Sequence, residues 1–178
     1  MIIIIGVAGA GKSTQCEMLA ADGEYQWLSV GQLLRETIVD SPQKAEMEKG
    51  DMLADGVVIP MVEAKIQSMG DDPELVLDGF PRTTKQVDRL LETHKSGDIK
   101  ISHVIHLVVD EETAYNRLLT RGRTDDYAKA ISERFREYKE TIVPIIEDFA
   151  IHGVVVASIN GEQESKVVQV QLRQILGK

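Results

Sequence analysis

The sequence has almost no cysteine and a deficit of positive charge. One cysteine, Cys16, is present, so an intrachain disulfide framework cannot form, and nothing indicates an oxidising compartment. Lysine and arginine number 20 against 29 aspartates and glutamates, which gives a formal net charge of −9. This balance argues against a broad surface for nucleic acid or anionic membranes. A protein of this charge that binds phosphates needs a local basic cleft.

The sequence also lacks a long hydrophobic run, an internal repeat and a low-complexity segment. The N-terminal run at residues 1–5 is too short for the apolar core of a signal peptide or for a membrane span, and it leads directly into a glycine loop. We interpret it as a buried first strand. With 178 residues, of which 43% are apolar, the chain can form one sizeable core. We therefore expect one cytoplasmic domain over residues 1–178.

Strand-like and helix-like segments alternate along the chain. Short apolar or β-branched runs, typical of strands covered on both faces, occur at 2–5, 26–29, 75–77, 103–109 and 154–159. Segments with helical apolar spacing lie at 12–21, 32–39, 57–69, 84–94, 111–120, 126–149 and 164–176, with a break or kink expected at Pro144. The alternation predicts an α/β fold with a five-stranded parallel sheet between helices. In such sheets ligands bind beyond the carboxyl ends of the strands.

The loop after the first predicted strand fits the phosphate-binding pattern G-x-x-x-x-G-K-[ST], in which four residues separate Gly6 from Gly11, Lys12 and Ser13. The glycines allow successive amide groups to face one anion, and the helix that begins there adds the positive end of its dipole. Lys12 is expected to reach the β- and γ-phosphates, and the Ser13 hydroxyl to ligate Mg²⁺. The alternative is a glycine-rich turn without a ligand, which the strand-loop-helix context disfavours. The motif predicts nucleotide binding but does not specify a reaction.

A second strand-following loop has the sequence DGFPRT, from Asp78 to Thr83. A carboxylate beside the phosphate-binding loop can orient the waters around Mg²⁺, and the guanidinium of Arg82 suits bidentate contact with phosphate. The alternative is an Asp-Gly turn with a solvated arginine. The upstream phosphate-binding loop favours the functional interpretation.

The sequence resembles the adenylate kinase family of nucleoside monophosphate (NMP) kinases over nearly its whole length. Four segments occur in the family's order: GVAGAGKSTQ at 6–15, LSVGQLLRE at 28–36, DGFPRTTKQ at 78–86, and GRTDD at 122–126 followed by Arg134. The resemblance implies a P-loop NTPase three-layer sandwich. Its core would comprise residues 1–29, 70–120 and 127–178, with a small helical NMP-binding insertion at about 30–69 and a minimal lid at about 121–126. It also implies reversible, Mg²⁺-dependent transfer of the ATP terminal phosphoryl group to a nucleoside monophosphate. A structural zinc site is not expected, because the short lid has no room for four cysteines and the chain has only Cys16.

The acceptor side follows from the same resemblance. Gln86 occupies the position of a glutamine that hydrogen-bonds adenine in adenylate kinases, whereas pyrimidine monophosphate kinases usually have asparagine. AMP is therefore the favoured acceptor, and UMP or CMP is the alternative; without the resemblance, Gln86 would be interpreted as a solvated helix residue. The expected AMP-binding residues are Val30, Arg35, Asp51, Met52, Leu53, Gly79, Phe80, Pro81, Arg82, Gln86, Arg123 and Arg134.

On the donor side, the resemblance implies ATP binding by Gly9, Ala10, Gly11, Lys12, Ser13, Thr14, Arg117, Arg121 and Gln163. The expected catalytic cations, which would stabilise the charge developing during transfer, are Lys12, Arg82, Arg121, Arg123 and Arg134. Asp78 is expected to contact Mg²⁺ through water. Two alternatives remain open: Arg117 and Arg134 could form surface ion pairs with nearby glutamates, and Asp125 and Asp126 could either hold the arginines or only cap the next helix.

Three departures from the family pattern affect the expected function. The short lid predicts slower chemistry, more ATP hydrolysis, or compensation by a neighbouring subunit. Val30 replaces a threonine near the acceptor, which weakens strict AMP selection. The phosphate-binding loop has Ala8 and Ser13 where proline and glycine are common, and Thr14 is an alternative metal contact.

The expected partners are ATP and AMP, with no nucleic acid or membrane, and a monomer unless a second subunit completes the site. Two other functional classes are alternatives. One is a kinase acting on a small non-nucleotide alcohol, and the other is a non-catalytic nucleotide-binding regulator. The acceptor-side segments disfavour the first, and the retained phosphate-binding cations disfavour the second.

Overall fold

The computed structural model describes residues 1–39, 42–49, 52–70, 72–123 and 126–178. Within these residues the strands are β1 (Ile2–Gly6), β2 (Tyr25–Ser29), β3 (Glu74–Asp78), β4 (His103–Val108) and β5 (Val155–Asn160). They form one five-stranded parallel sheet in the order β2-β3-β1-β4-β5. The predicted α/β class and five-stranded parallel sheet are confirmed.

The helices are α1 (Lys12–Ala20), α2 (Val30–Thr37), α3 (Pro42–Lys49), α4 (Asp55–Met69), α5 (Thr84–Ser96), α6 (Glu111–Arg121), α7 (Ala128–Ile151) and α8 (Ser165–Ile175). Helices α2, α3 and α4 lie between β2 and β3, in the span predicted as the insertion, whose boundaries stay a prediction. Helix α3 was not predicted, because its sequence PQKAEMEK has too few apolar residues to show a helical period. Among the described residues, no helix has the length and apolarity needed to cross a membrane.

The sequence predicts a break or a kink at Pro144. Helix α7 continues through this residue, so a break is wrong, and a kink stays a prediction. A proline inside a helix removes one backbone hydrogen bond. The helix nevertheless buries Ile131 and Phe135 before Pro144, and Ile145 and Phe149 after it. Burial of these side chains on both sides of the proline offsets the lost hydrogen bond.

The sheet is covered on both faces, as the continuous apolar runs predicted. Side chains alternate along a strand, so Ile3 packs in the hydrophobic cluster with Leu77 and Phe149, whereas Ile4 packs in the opposite cluster with Leu19. All side chains from Ile2 to Ile5 are buried. The central strand β1 is therefore fixed from both sides.

The register aligns the ends of the strands that precede the predicted site loops. Ile4 of β1 pairs with Asp78 of β3, and Ser29 of β2 pairs with the same residue. Because parallel strands share one carboxyl edge, the loops after β1, β2 and β3 emerge side by side. Strand β1 lies between β3 and β4, so the chain continues to both sides of it in the sheet. In open α/β sheets ligands bind in the crevice at such a point, beyond the carboxyl ends of the strands.

Candidate functional site

A cleft of about 600 Å³ lies at the carboxyl edge of the sheet. It brings together most of the predicted site residues: Gly9, Gly11, Lys12, Ser13, Thr14, Val30, Arg35, Met52, Leu53, Asp78, Gly79, Arg82, Gln86, Arg117, Arg121, Arg123 and Arg134. The lining includes six arginines and Lys12, although the chain carries a net charge of −9. This is the local basic cleft that phosphate binding by an acidic protein requires.

A few predicted residues lie elsewhere. Phe80 and Pro81 line a smaller adjoining cavity of about 80 Å³, which shares Met52 and Arg82 with the cleft. The side chain of Ala10 is buried. Gln163 donates to the Asn160 carbonyl (3.0 Å) and is paired with Gln171 at the start of the β5–α8 connection. Asp51 lies outside the described residues. The nucleotide contacts assigned to these residues stay predictions.

The phosphate-binding loop requires glycine where its backbone turns. Gly9 has φ 87°, and a side chain there would place Cβ 2.5 Å from the Ala114 carbonyl oxygen. Gly11 has φ 93° and is the N-cap of α1, so the free amide groups of the first helical turn open into the cleft. Such amides, together with the helix dipole, bind anions.

Lys12 points back onto its own loop. Its ammonium donates to the carbonyls of Gly6 (2.8 Å) and Val7 (3.0 Å). The side chain keeps some solvent-accessible surface along the cleft, but protein atoms surround the ammonium itself, and this dehydration lowers the pKa of Lys12 to about 8. The nearby Asp78 opposes that shift, whereas Arg82 and Arg121 add to it. The ammonium therefore lies where anionic phosphate oxygens would raise its pKa again.

Ser13 and Asp78 present oxygen atoms side by side at the floor of the cleft. The Ser13 hydroxyl donates to Asp78 Oδ2 at 2.6 Å, and Asp78 is buried at the end of β3. Magnesium bound with a nucleotide takes one or two protein oxygens, and phosphates and water supply the others. Ser13 and Asp78 can supply these two oxygens. A site of this kind does not require a cluster of three or more His, Cys, Asp or Glu side chains, and the described residues contain no such cluster.

Asp126 holds the arginines at one end of the cleft. Its carboxylate accepts from Nε and Nη2 of Arg121 (2.8 and 2.7 Å), from Nη1 of Arg134 (3.3 Å) and from the backbone N–H of Arg123 (3.3 Å). The side chain has no solvent exposure. Burial alone would raise the pKa of Asp126. The hydrogen bonds and the charge of Arg121 outweigh this effect and keep the pKa of Asp126 below its usual value.

This geometry decides one of the open alternatives. Asp126 holds arginines, and the N-cap of α7 is Tyr127 instead. Asp125 lies outside the described residues. Arg117 and Arg134 both line the cleft, where Arg134 contacts Asp126 and Arg117 donates to the Gly161 carbonyl (2.9 Å). Arg117 thereby connects α6 to the loop after β5.

The acceptor-side residues predicted on α2 and the DGFPRT loop also converge. Val30 is buried at the start of α2, and Arg35 in its last turn reaches the cleft. Arg82 Nε donates to the Gly79 carbonyl (3.0 Å), and Gly79 has φ 82°, a conformation that favours glycine. Arg35 and Arg82 therefore line the same cleft as Lys12.

Gln86 is buried, with 4% of its surface exposed, so the interpretation of a solvated helix residue is wrong. Its Oε1 accepts from the backbone N–H of Arg82 (2.7 Å), and its Nε2 donates to Asp55 Oδ1 (2.8 Å). Thr83 is the N-cap of α5 and accepts from the Gln86 N–H (3.2 Å). Thr83 and Gln86 match the capping-box pattern S/T-x-x-E/Q, a signal that the sequence contains and that would have predicted a role for Gln86 at the helix start.

Two further residues contact the walls of the cleft or of its adjoining cavity and were not predicted. Asp55, in the first turn of α4, accepts from both Gln86 and the Thr83 hydroxyl (3.0 Å). Glu137 of α7 lies beside Arg82 in the adjoining cavity. Burial raises the pKa of Glu137, and this effect outweighs the charge of Arg82 and a hydrogen bond from the Met52 backbone N–H, which both lower it. Neither residue belongs to a local motif, because their partners lie far away along the chain.

Comparisons with known proteins agree with this geometry. The family model described as "Adenylate kinase" matches residues 4–154. Among curated proteins, the chain is 34% identical to "Adenylate kinase" of Prochlorococcus marinus (strain MIT 9211) over 181 residues, covering 99% of this chain and 96% of the relative. It is 33% identical to "Adenylate kinase" of Corynebacterium urealyticum, covering 82% of this chain and 83% of the relative. A third similar protein, from Rhodopirellula baltica, bears the same name and is 32% identical, covering 86% of this chain and 83% of the relative.

Proposed function

The chain belongs to the adenylate kinase family, and we propose on that basis that it transfers the terminal phosphoryl group of Mg-ATP to AMP, reversibly, giving two ADP. It is a phosphotransferase of the nucleoside monophosphate kinase class. The observation that carries the proposal is the single cleft in which the phosphate-binding loop, Asp78 and six arginines meet.

ATP binds with its phosphates on the loop from Gly9 to Thr14. Backbone amides of this loop and the dipole of α1 hold the anion, while Lys12 exchanges the Gly6 and Val7 carbonyls for phosphate oxygens. Arg121 contacts the phosphates. The adenine lies near Arg117 and the connection at residues 161–163. Arg117 lines the cleft and donates to the Gly161 carbonyl, and this hydrogen bond holds the connection close to the cleft.

Ser13 and Asp78 would hold Mg²⁺, Ser13 directly and Asp78 through water. The metal would neutralise charge on the β- and γ-phosphates during transfer. The hydrogen bond between the two residues keeps both oxygens at the floor of the cleft.

AMP binds at the other end, with its phosphate on Arg35 and Arg82. Met52, Leu53 and Val58 give its base an apolar wall, and Gln86 supplies a polar contact from the same wall. Gln86 can serve as a cap and as a base contact, because an amide oxygen has a second lone pair and an amide nitrogen has a second hydrogen.

Transfer itself needs positioning and positive charge rather than a protein nucleophile. Four arginines line the cleft and supply this charge in the proposal: Arg82, Arg121, Arg123 and Arg134. Asp126 fixes Arg121 and Arg134 in place, so these groups do not have to reorganise as charge develops.

A coupled assay with ATP, Mg²⁺ and each of AMP, UMP, CMP, GMP and dTMP tests the proposal. We expect AMP to give the highest kcat/KM, and we expect Lys12→Ala and Arg82→Ala to lower kcat by about 10²- to 10³-fold. The matched controls, Lys85→Ala and Arg136→Ala, remove exposed cations outside the cleft and should leave the rate unchanged. A strong preference for UMP or CMP would refute the AMP assignment, and tight ATP binding without turnover would support a regulator.

The same assay without an acceptor tests the prediction about the short lid. Poor exclusion of water should give measurable ATP hydrolysis. A change in the rate per enzyme molecule as the protein concentration rises would indicate that a second subunit completes the site. The monomeric state and the cytoplasmic location stay predictions from the sequence.

A further inference from the structure

Asp55 lies beside the residue proposed to read the acceptor base. It occupies the first turn of α4, and its Oδ1 accepts both from Gln86 Nε2 (2.8 Å) and from the Thr83 hydroxyl (3.0 Å). Thr83 in turn accepts from the Gln86 backbone N–H (3.2 Å). These contacts join the start of α4 to the start of α5, behind the part of the cleft wall that Gln86 forms.

The contacts allow one orientation of the Gln86 amide. A carboxylate accepts only, and a backbone N–H donates only. With Asp55 on one side and the Arg82 N–H on the other, the nitrogen must face Asp55 and the oxygen must face Arg82. A flipped amide would set oxygen against carboxylate and N–H against N–H, and Gln86 is too buried for water to relieve either contact.

A fixed amide distinguishes two kinds of purine. Adenine presents a donor, the N6 amino group, next to an acceptor ring nitrogen: N1 on one edge of the base and N7 on the other. A 6-oxopurine presents the acceptor O6 at that position. A glutamine that can flip offers its N–H to O6, whereas a fixed glutamine sets its oxygen against O6 and repels it.

We propose that Asp55 is a positioning residue for acceptor selection: it holds the Gln86 amide in the orientation that accepts AMP and rejects 6-oxopurine monophosphates. The inference rests on the proposed function and adds a residue that selects the base without touching it. It also compensates for Val30, because discrimination at the base does not then depend on a threonine hydroxyl at that position.

The test compares Asp55→Ala with Asp55→Asn, using AMP and IMP as acceptors. IMP differs from AMP only in the group at C6 and the proton at the adjacent ring nitrogen. Asp55→Ala removes the acceptor for Gln86 Nε2, and we expect the ratio of kcat/KM for AMP over IMP to fall about tenfold, the worth of roughly one hydrogen bond. Asp55→Asn keeps a carbonyl oxygen at the Oδ1 position, so the ratio should stay within about twofold of the wild type.

The readouts separate this role from a purely structural one. The KM for ATP should not change in either variant, and Asp88→Asn, an exposed position on α5, is the matched control. If Asp55→Ala does not fold at the assay temperature, Asp55→Leu fills the space without an acceptor and should give the same fall.

An unchanged AMP-to-IMP ratio in a folded Ala or Leu variant would overturn the inference. An equal fall in Asp55→Asn would overturn it as well. Failure of the wild type to use AMP would instead refute the proposed function, so the two failures are distinguishable.

Discussion

The two ends of the cleft are each organised by one aspartate, but the two aspartates hold different kinds of group. At the donor end, Asp126 accepts from the charged guanidiniums of Arg121 and Arg134, and its side chain is fully buried. At the acceptor end, Asp55 is partly buried and accepts from a neutral amide and a hydroxyl. Both carboxylates make charge-assisted hydrogen bonds, but only Asp126 also forms ion pairs, with Arg121 and Arg134. The same residue type can therefore fix positive charge for catalysis at one end and the orientation of a polar group at the other.

Asp126→Asn should disrupt the arginine contacts at the donor end and have the largest effect on stability and on kcat. An asparagine cannot accept from Arg121 with both atoms, so it leaves one donor facing another and removes the compensating charge. We expect a loss of about 3 kcal/mol in the free energy of unfolding, measured with urea, and a fall of about 10²-fold in kcat. The contribution of Asp126 to stability should also disappear as the pH falls below 4, because its pKa lies below the usual 3.8 in the folded state.

Asp22→Asn is the matched control for that experiment. Asp22 also pairs with an arginine, Arg173, at 2.6 Å, but the pair lies on the surface. We expect little or no loss in the free energy of unfolding and no change in kcat, because solvent screens an exposed ion pair. Equal losses for the two variants would contradict the distinction between a buried and an exposed ion pair.

The sequence predicts the sheet well because each strand is a short run of buried apolar residues, and the loops of the cleft follow from two strong motifs. It predicts the remaining features poorly where a contact is distant or a segment is polar. Asp55 and Gln86 are 31 residues apart, and no local pattern connects them. Helix α3 lacks an apolar period, and α7 passes through Pro144 because buried residues on both sides hold it. The capping box at Thr83 is readable from the sequence, whereas the orientation of the Gln86 amide depends on a partner that only the fold brings near.

Arg117→Met tests whether the two ends of the cleft act independently, because its effect should be moderate and confined to the donor end. The substitution keeps much of the side-chain volume but removes the hydrogen bond to the Gly161 carbonyl. We expect the KM for ATP to rise about fivefold, the worth of one hydrogen bond, while the AMP-to-IMP ratio stays unchanged. A change in that ratio would show that the two ends are not independent. Arg136→Met, on the exposed face of α7, is the control.

Lys12→Met should change stability only modestly, and in the opposite direction to Asp126→Asn. Below pH 8 the ammonium is charged in both the folded and the unfolded chain, but only the folded chain bears its dehydration. The variant should therefore have a higher Tm, by about 2–4 °C. Between pH 8 and the ordinary value of 10.5, the folded wild type loses this proton first and becomes relatively more stable, so the difference should shrink.

Thermal unfolding of both proteins at several pH values measures this difference. A Tm difference that is constant from pH 7 to pH 10 would contradict the lowered pKa of Lys12. Asp55→Ala is a useful companion, because it acts at the acceptor end and should show no comparable dependence on alkaline pH.

The polarity of the parallel sheet divides the surface of the molecule into two parts with different uses. Every strand points its carboxyl end at the cleft, so the returning connections at Gly97 and Gly153 lie at the far edge, where both residues are exposed and contribute nothing to the cleft lining. A short polar peptide, a fluorophore or a surface tether inserted there would leave the arginines and the phosphate-binding loop in place. The fold thus offers an attachment side for immobilising or labelling the enzyme that is opposite its reactive side.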